Sequence, residues 1–98
     1  MNQYANFFRS RGVGRNDVVA VFMDNRPDFL FATLALNRLR AISSLINTNA
    51  SGVALTHAIS VCSAKAVLVG SEHAMTLREV APKLGNLAGR IWQHEDPG

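Results

Sequence analysis

The chain has 98 residues, of which 48% are hydrophobic and 17% are charged, and its formal net charge is +3. This composition excludes a disordered chain, and the length allows one domain or a piece of one. The single cysteine, Cys62, excludes an internal disulfide and a cysteine-built zinc site. We find neither the apolar run of a signal peptide nor one long enough to span a membrane. We therefore expect a cytoplasmic protein, with peripheral membrane contact as the other option.

The first elements are a predicted helix and a buried strand. Aromatic side chains at helical spacing predict a helix over residues 3–11, and Gly12 suits the left-handed position that ends it. These side chains are Tyr4, Phe7 and Phe8. Residues 18–23, VVAVFM, form an unbroken run with β-branched residues, which is typical of a strand buried on both faces of a parallel sheet.

A second helix is predicted from Pro27 to about Leu39, because proline suits a first helical turn and Asp24 or Asn25 can cap it. Four apolar side chains share one face of this helix: Phe31, Leu34, Ala35 and Leu39. Residues 41–46, AISSLI, are predicted to form the second strand.

The rest of the chain repeats the alternation of helix and strand. Ser51 is the predicted cap of a third helix, whose apolar side chains recur at helical spacing. They are Leu55, Ala58, Ile59 and Cys62. Residues 65–70 are the third predicted strand, and Ser71 is the predicted cap of a fourth helix that Pro82 ends or kinks. Residues 89–95, GRIWQHE, predict a fourth strand. The alternation predicts an α/β fold with a partial parallel sheet of three to four strands.

Three kinds of binding site lack their motif or residue spacing in the sequence. The GVG at residues 12–14 resembles a dinucleotide fingerprint, but the third glycine position is Asp17 and the glycines precede the strand. No glycine-rich loop ending in lysine occurs, so nothing in the sequence could wrap a triphosphate. His57, His73 and His94 have no acid or cysteine at ligand spacing on the same helical face, so no metal site is predicted.

Two arginine-rich clusters, residues 9–15 and 37–40, could meet an acidic membrane surface, a nucleic acid or a phosphorylated ligand. They lack interleaved aromatic residues, so we expect no nucleic-acid binding. Solvated arginines at the carboxyl ends of helices, where the helix dipole favours them, explain the clusters more simply.

Asn47 and Asn49 follow the second predicted strand. They could hydrogen-bond a ligand at the carboxyl edge of the sheet, and asparagine side chains also close turns on their own backbone. We favour the turn and retain both residues as candidate substrate-lining residues. No catalytic, cofactor-binding or metal-binding residue is predicted.

Three pieces of the chain follow one another in a recognisable order: Gly12 to Ala20, Asn25 to Phe29, and Leu39 to Ile46. Together they resemble the N-terminal part of the adenylate-forming acyl-CoA synthetases. A second ordered set is similar to the branch that activates long and very long fatty acids, the fatty-acid transport protein type: Ile46-Asn47, Asn49, Leu55, His57 and Ala64-Lys65. The resemblance covers roughly residues 3–92. Arg40 stands where the family has glycine, and at a positive φ it would cost about 1–2 kcal/mol.

The resemblance implies that residues 1–98 are a single incomplete α/β segment of a larger AMP-binding domain, the scaffold of an ATP-dependent fatty acid–CoA ligase. In the whole enzyme, ATP and a fatty acid give an acyl-adenylate and pyrophosphate, and the thiol of coenzyme A then displaces AMP. Mg²⁺ would neutralise the phosphate charge. The family's catalytic motifs do not map onto this segment, so we expect it to bind no cofactor and to be inactive alone. The alternative is a self-standing small α/β ligand-binding or interaction module without catalysis.

Overall fold

The computed structural model describes residues 2–24 and 27–94. Within these residues, four helices and four strands alternate along the chain, which confirms the predicted fold class. Their bounds are α1 Asn2–Ser10, β1 Val18–Phe22, α2 Pro27–Arg38, β2 Ile42–Leu45, α3 Gly52–Val61, β3 Ala66–Gly70, α4 Ala74–Val80 and β4 Ile91–His94. Short 3₁₀ helices flank α4 at Ser71–His73, Ala81–Lys83 and Gly85–Arg90.

The four strands form one parallel sheet in the order β2-β1-β3-β4. β3 is buried along its whole length, as its unbroken apolar sequence predicts for a central strand covered on both faces. β2 is an edge strand, and Ile42 and Leu45 expose 50% and 59% of their surface there. The centre of the sheet is therefore buried, and apolar side chains are exposed to solvent at the β2 edge.

One face of the sheet is covered by α1 and α2. Phe8 is fully buried there, and its ring centroid lies 6.2 Å from that of Trp92 on β4. Phe7 meets the same Trp92 edge-on, with ring centroids 5.5 Å apart. Tyr4 lies 6.2 Å from Phe8, measured between ring centroids. The predicted aromatic face of α1 is thus confirmed as a core face, and it joins α1 to β4.

The other face of the sheet is covered by α3 and α4. Leu55 and Ile59 of α3 are fully buried, as their helical spacing predicts, and they pack in one cluster with Phe22 of β1. Leu77 and Val80 of α4 complete the same cluster. Placing α2 and α3 on opposite faces is what right-handed crossovers require when the chain moves first to one side of β1 and then to the other.

Gly12 ends α1 in the way the sequence predicts. Its φ is 82°, and its amide donates to the carbonyl of Arg9 at 3.0 Å. The amide of Val13 then reaches back to the carbonyl of Phe8 at 3.0 Å. This pair of bonds satisfies carbonyls that the end of the helix would otherwise leave open.

Arg40 ends α2 with the same geometry, although it has a side chain. Its φ is 60°, its amide donates to Asn37 at 3.0 Å, and the amide of Ala41 donates to Leu36 at 2.9 Å. The positive φ anticipated from the family's glycine is therefore present. An L-residue in this conformation costs about 1–2 kcal/mol, because Cβ approaches the following carbonyl oxygen.

The buried face of α2 differs from the face grouped by sequence. Phe31 and Leu34 each expose 40% of their surface, whereas Ala32, Ala35 and Leu36 are fully buried. Ala32 and Ala35 face the sheet where α2 packs beside both α1 and β2, and Leu36 is buried beside them. Phe31 and Leu34 therefore point away from the core.

The predicted caps hold in part. Ser51 lies at the N-cap of α3 but makes no side-chain capping bond. Ser71 is wrong as the cap of α4, because it begins a 3₁₀ turn and α4 starts only at Ala74. Pro82 follows the end of α4, as predicted. The cap of α2 at Asn25 lies outside the described residues. Among the described helices, none has the length and apolar character needed to cross a membrane.

Candidate functional site

The carboxyl ends of β1 and β3 lie side by side at the centre of the sheet. From β1 the chain crosses to β2 on one side, and from β3 it crosses to β4 on the other side. In open parallel sheets, a point where the connections diverge leaves a crevice at the carboxyl ends of the strands, and ligands bind there. The loops that follow β1 and β3 are therefore the candidate site.

Three titratable side chains meet in these loops. Asp24 follows β1, and Glu72 and His73 follow β3. Nε2 of His73 lies 2.7 Å from Oδ1 of Asp24, within hydrogen-bonding distance. The backbone N–H of Asp24 donates to Oε2 of Glu72 at 2.9 Å. These two bonds tie the loops together across the switch point.

Packing fixes the positions of His73 and Glu72. The imidazole of His73 stacks on the buried ring of Phe22, with centroids 4.9 Å apart and 36° between the planes. Glu72 folds back over Gly70, where an added Cβ would lie 2.5 Å from both carboxylate oxygens. A side chain at position 70 would therefore displace the flexible Glu72 carboxylate, while the φ of Gly70, −73°, is ordinary. The last residue of β3 allows the carboxylate to reach Asp24.

Asn47 and Asn49 lie at the same edge of the sheet, after the neighbouring strand β2. Both are exposed, and Oδ1 of Asn47 accepts the backbone N–H of Asn49 at 2.9 Å. The carbonyl of Asn47 also accepts the N–H of Ala50 at 3.0 Å. Asn47 therefore closes the turn that sequence favoured for it, while a substrate-lining role for the pair stays a prediction.

The cluster at the switch point offers one imidazole nitrogen and two carboxylate oxygens, all within 4.8 Å of one another. Such donors suit a divalent cation. Asp24 and Glu72 are exposed, however, and the three residues already hydrogen-bond one another. These contacts by themselves connect the loop after β1 to the loop after β3. The prediction that no residue binds a metal stays a prediction.

Sequence spacing missed this cluster because His73 and Asp24 are 49 residues apart. The usable signal was topological, since both residues directly follow buried strands that a parallel sheet can bring together. His57 is exposed on α3, and Cys62 is half-buried with its thiol donating to the carbonyl of Ile59 at 3.1 Å. The side chain of His94 lies outside the part of the chain that the structure describes.

The strand order and the divergent connections place the chain among open α/β proteins whose ligands meet the carboxyl edge of the sheet. Residues 1–97 match the AMP-binding enzyme family. The chain belongs to that family.

Individual relatives agree with this assignment. The chain is 37% identical over 84 residues to long-chain fatty acid transport protein 1 of Mus musculus, a match that covers 86% of the chain and 13% of that protein. It is 32% identical over 95 residues to the medium/long-chain-fatty-acid–CoA ligase FadD6 of Mycobacterium tuberculosis, which covers 97% of the chain and 16% of that protein. The chain thus spans about a seventh of the length of these relatives.

Solved structures show the same fold. A long-chain-fatty-acid-CoA ligase (FadD1) from Archaeoglobus fulgidus superposes with a TM-score of 0.85 at 23% identity, over 97% of this chain and 19% of that one. The anthranilate CoA ligase AuaEII, solved in complex with anthranoyl-AMP, superposes with a TM-score of 0.84 at 20% identity, over 95% of this chain and 18% of that one.

Proposed function

We propose that residues 1–98 are a scaffold segment of an ATP-dependent long- or very-long-chain fatty acid–CoA ligase. The full enzyme would form an acyl-adenylate from ATP and a fatty acid, and then transfer the acyl group to coenzyme A. The segment would be one incomplete α/β part of the larger AMP-binding domain. The observation that carries the proposal is the family match over residues 1–97, together with fatty-acid-handling relatives that are several times longer.

The open edge of the sheet supports an incomplete domain. Ile42 and Leu45 of β2 are at least half exposed, and Leu30, Phe31 and Leu34 of the adjacent α2 expose between 40% and 54% of their surface. An edge strand with exposed apolar side chains is a template for further pairing or packing. In the proposed enzyme, the rest of the domain would cover this edge and bury these side chains.

The candidate site at the carboxyl edge does not fit the phosphates of ATP. The switch point carries the carboxylates of Asp24 and Glu72, which would repel a polyphosphate. ATP, Mg²⁺ and coenzyme A are therefore assigned to the remainder of the proposed enzyme, and this segment holds the sheet against which they are positioned. Asn47 and Asn49 are proposed at most to line the path of the substrate.

A chimera tests the proposal. The stretch of this chain that matches FadD6 over 95 residues would replace the corresponding segment of FadD6, and acyl-CoA formation would be measured with fatty acids of increasing chain length. We expect activity to survive, because a scaffold segment contributes packing and not reacting groups. The matched control is the same chimera with Phe22→Ala, which removes a buried ring and should abolish activity by unfolding the segment.

The isolated chain provides the complementary measurement. We expect no pyrophosphate release above a no-protein control with ATP, palmitate and coenzyme A. A chimera that folds and binds ATP but activates no fatty acid would contradict the ligase proposal. Turnover by the isolated chain would contradict the scaffold role.

A further inference from the structure

The opposite end of the sheet, where the strands begin, collects arginines from several segments of the chain. In a parallel sheet every strand starts at the same edge, so the residues that precede the strands converge there. We call this surface the amino edge. Its exposed arginines are Arg9, Arg11, Arg15, Arg38, Arg40 and Arg90.

Among residues 2–24 and 27–94, Asp17 is the acid that directly precedes a strand at the amino edge, and it is already engaged. Oδ2 of Asp17 accepts the backbone N–H of Gly14 at 2.8 Å and lies 3.3 Å from Nζ of Lys65. Lys65 also donates to the carbonyl of Gly12 at 2.6 Å. Glu79, in the last turn of α4, belongs to the layer on the other face of the sheet from α1 and α2. The positive charge of the arginines is therefore not balanced locally.

Two of these arginines flank a concavity. Arg9 and Arg38 lie in the last turns of α1 and α2, which pack together and end at the same edge. They line a cavity of about 440 Å³ together with Ala5, Asn6 and Leu39, and no acid lines it. Within residues 2–24 and 27–94, neither arginine forms an ion pair or a hydrogen bond through its side chain. The cavity thus presents two guanidinium groups, which suit a phosphate oxygen cluster.

We propose that the amino edge docks on the phosphate headgroups of an anionic lipid bilayer. Charge complementarity carries the choice, because basic residues near an anionic leaflet each add to attraction. The arginines come from separate segment ends across one edge and do not form a stripe along one helix, as a groove-reading element would. Phe7 is half-buried under the guanidinium of Arg11, at 5.1 Å, so this ring is not offered for base stacking.

Docking by the amino edge also fixes an orientation. The carboxyl edge, with the exposed Asp24 and Glu72, would then face away from the bilayer. A site at the carboxyl edge would stay open to solutes while the scaffold rests on the source of an apolar substrate. The functional meaning of this orientation rests on the proposed function. Membrane docking itself depends only on the arginines of the amino edge.

Vesicle sedimentation tests the proposal with the 98-residue chain and with the FadD6 chimera. The probes are vesicles of phosphatidylcholine alone and of phosphatidylcholine with about 30% phosphatidylserine, at ionic strengths of about 0.1 M and 1 M. We expect binding to the anionic vesicles at the lower ionic strength and its loss at the higher one. Neither measurement requires ligase activity, so vesicle binding can be interpreted even if the ligase proposal fails.

Charge-removing variants locate the surface. Arg9→Gln with Arg38→Gln should lower the vesicle partition coefficient at least tenfold, since each arginine near the surface contributes about fivefold. The control is Arg78→Gln with Lys83→Gln, which removes the same charge from exposed positions at the end of α4, in the layer on the other face of the sheet and away from the cavity of Arg9 and Arg38, and should change partitioning about twofold or less. A thermal melt of each variant separates loss of charge from loss of fold.

Three results would overturn the proposal. One is equal binding to neutral and anionic vesicles, and another is no vesicle binding by either the chain or the chimera. The third is tighter binding to single- or double-stranded DNA than to anionic vesicles at the same ionic strength, which would assign the surface to a nucleic acid.

Discussion

At the carboxyl ends of β1 and β3, side chains of one loop bond the other loop, whereas at the amino ends of the same strands most charged side chains point to solvent. Asp24, Glu72 and His73 form the first arrangement, and the exposed arginines of the amino edge form the second. Both ends belong to one sheet and are built on the same buried strands. The difference shows how a parallel topology can sort charge by placing every strand start at one edge and every strand end at the other.

The largest expected effect comes from the layer that supports both ends. Phe22 is fully buried on β1 and carries the ring of His73 on its face. Phe22→Ala should lower the free energy of unfolding by about 3–5 kcal/mol, because it removes a large buried side chain and leaves a cavity. Urea denaturation measures this loss. The control Val53→Ala, at a side chain 79% exposed, should change it by less than about 0.5 kcal/mol.

Comparable losses for Phe22→Ala and Val53→Ala would contradict the assignment of Phe22 to the core. A loss confined to the carboxyl edge, with the amino edge still folded by amide exchange, would contradict the view that one sheet supports both ends.

The next effect separates the carboxyl edge from the rest. Glu72→Ala removes the carboxylate that accepts the N–H of Asp24, and should cost about 1 kcal/mol of unfolding free energy. It should also speed hydrogen exchange at the Asp24 amide without altering exchange along β3. Glu79→Ala, on the exposed side of α4, is the matched control and should leave both quantities unchanged. Slow exchange at Asp24 in Glu72→Ala would show that another group protects this amide.

A smaller effect tests the backbone strain at Arg40, a residue of the amino edge. Arg40→Gly should stabilise the chain by about 0.5–1 kcal/mol, because glycine adopts a φ of 60° without strain. The gain is smaller than the full strain energy, because glycine also increases the conformational entropy of the unfolded chain. Arg38→Gly removes the same charge from the last residue of α2 and should instead destabilise by about 0.5 kcal/mol or less, because glycine is penalised less at a helix end than in its interior. Differential denaturation of the two variants measures the contrast. Equal destabilisation would refute the left-handed geometry at Arg40.

The smallest effect tests the ion pair between Asp17 and Lys65 at the amino edge. The N–H of Gly14 and then the ammonium of Lys65 hold the pKa of Asp17 below its ordinary value of 3.8. The charged form is thus favoured by folding, so its stabilisation is present above that value and is lost as the pH falls through the lower folded pKa. Because the side chain is 33% exposed, we expect Asp17→Asn to cost a few tenths of a kcal/mol near neutral pH.

Denaturation midpoints of the two proteins measure this effect at about pH 7 and about pH 2. The midpoints should differ at the higher pH and converge at the lower one. A gap that widens as the pH falls would contradict the direction of the pKa shift.

Much of the fold was readable from local pattern. The unbroken apolar runs gave the central strands, the helical spacing of Leu55 and Ile59 gave the buried face of α3, and Gly12 gave the end of α1. In each case a short-range rule, burial or backbone freedom, agrees with the tertiary structure. Of the face predicted for α2, Ala35 and Leu39 contact the core, but Phe31 and Leu34 are exposed and Leu36 is buried instead. The spacing between packed helices decides that choice, and spacing along the chain carries no information about it.

The sequence by itself determined the alternation of helices and strands, the parallel sheet that follows from it, and the turn at Asn47, because these depend on neighbouring residues. Only the tertiary structure placed β3 beside β1, and so brought His73 to Asp24 across 49 residues and gathered the arginines of distant segments at one edge. The physical reason is that strand order is set by which apolar faces bury one another. Contacts between distant loops are a consequence of that order.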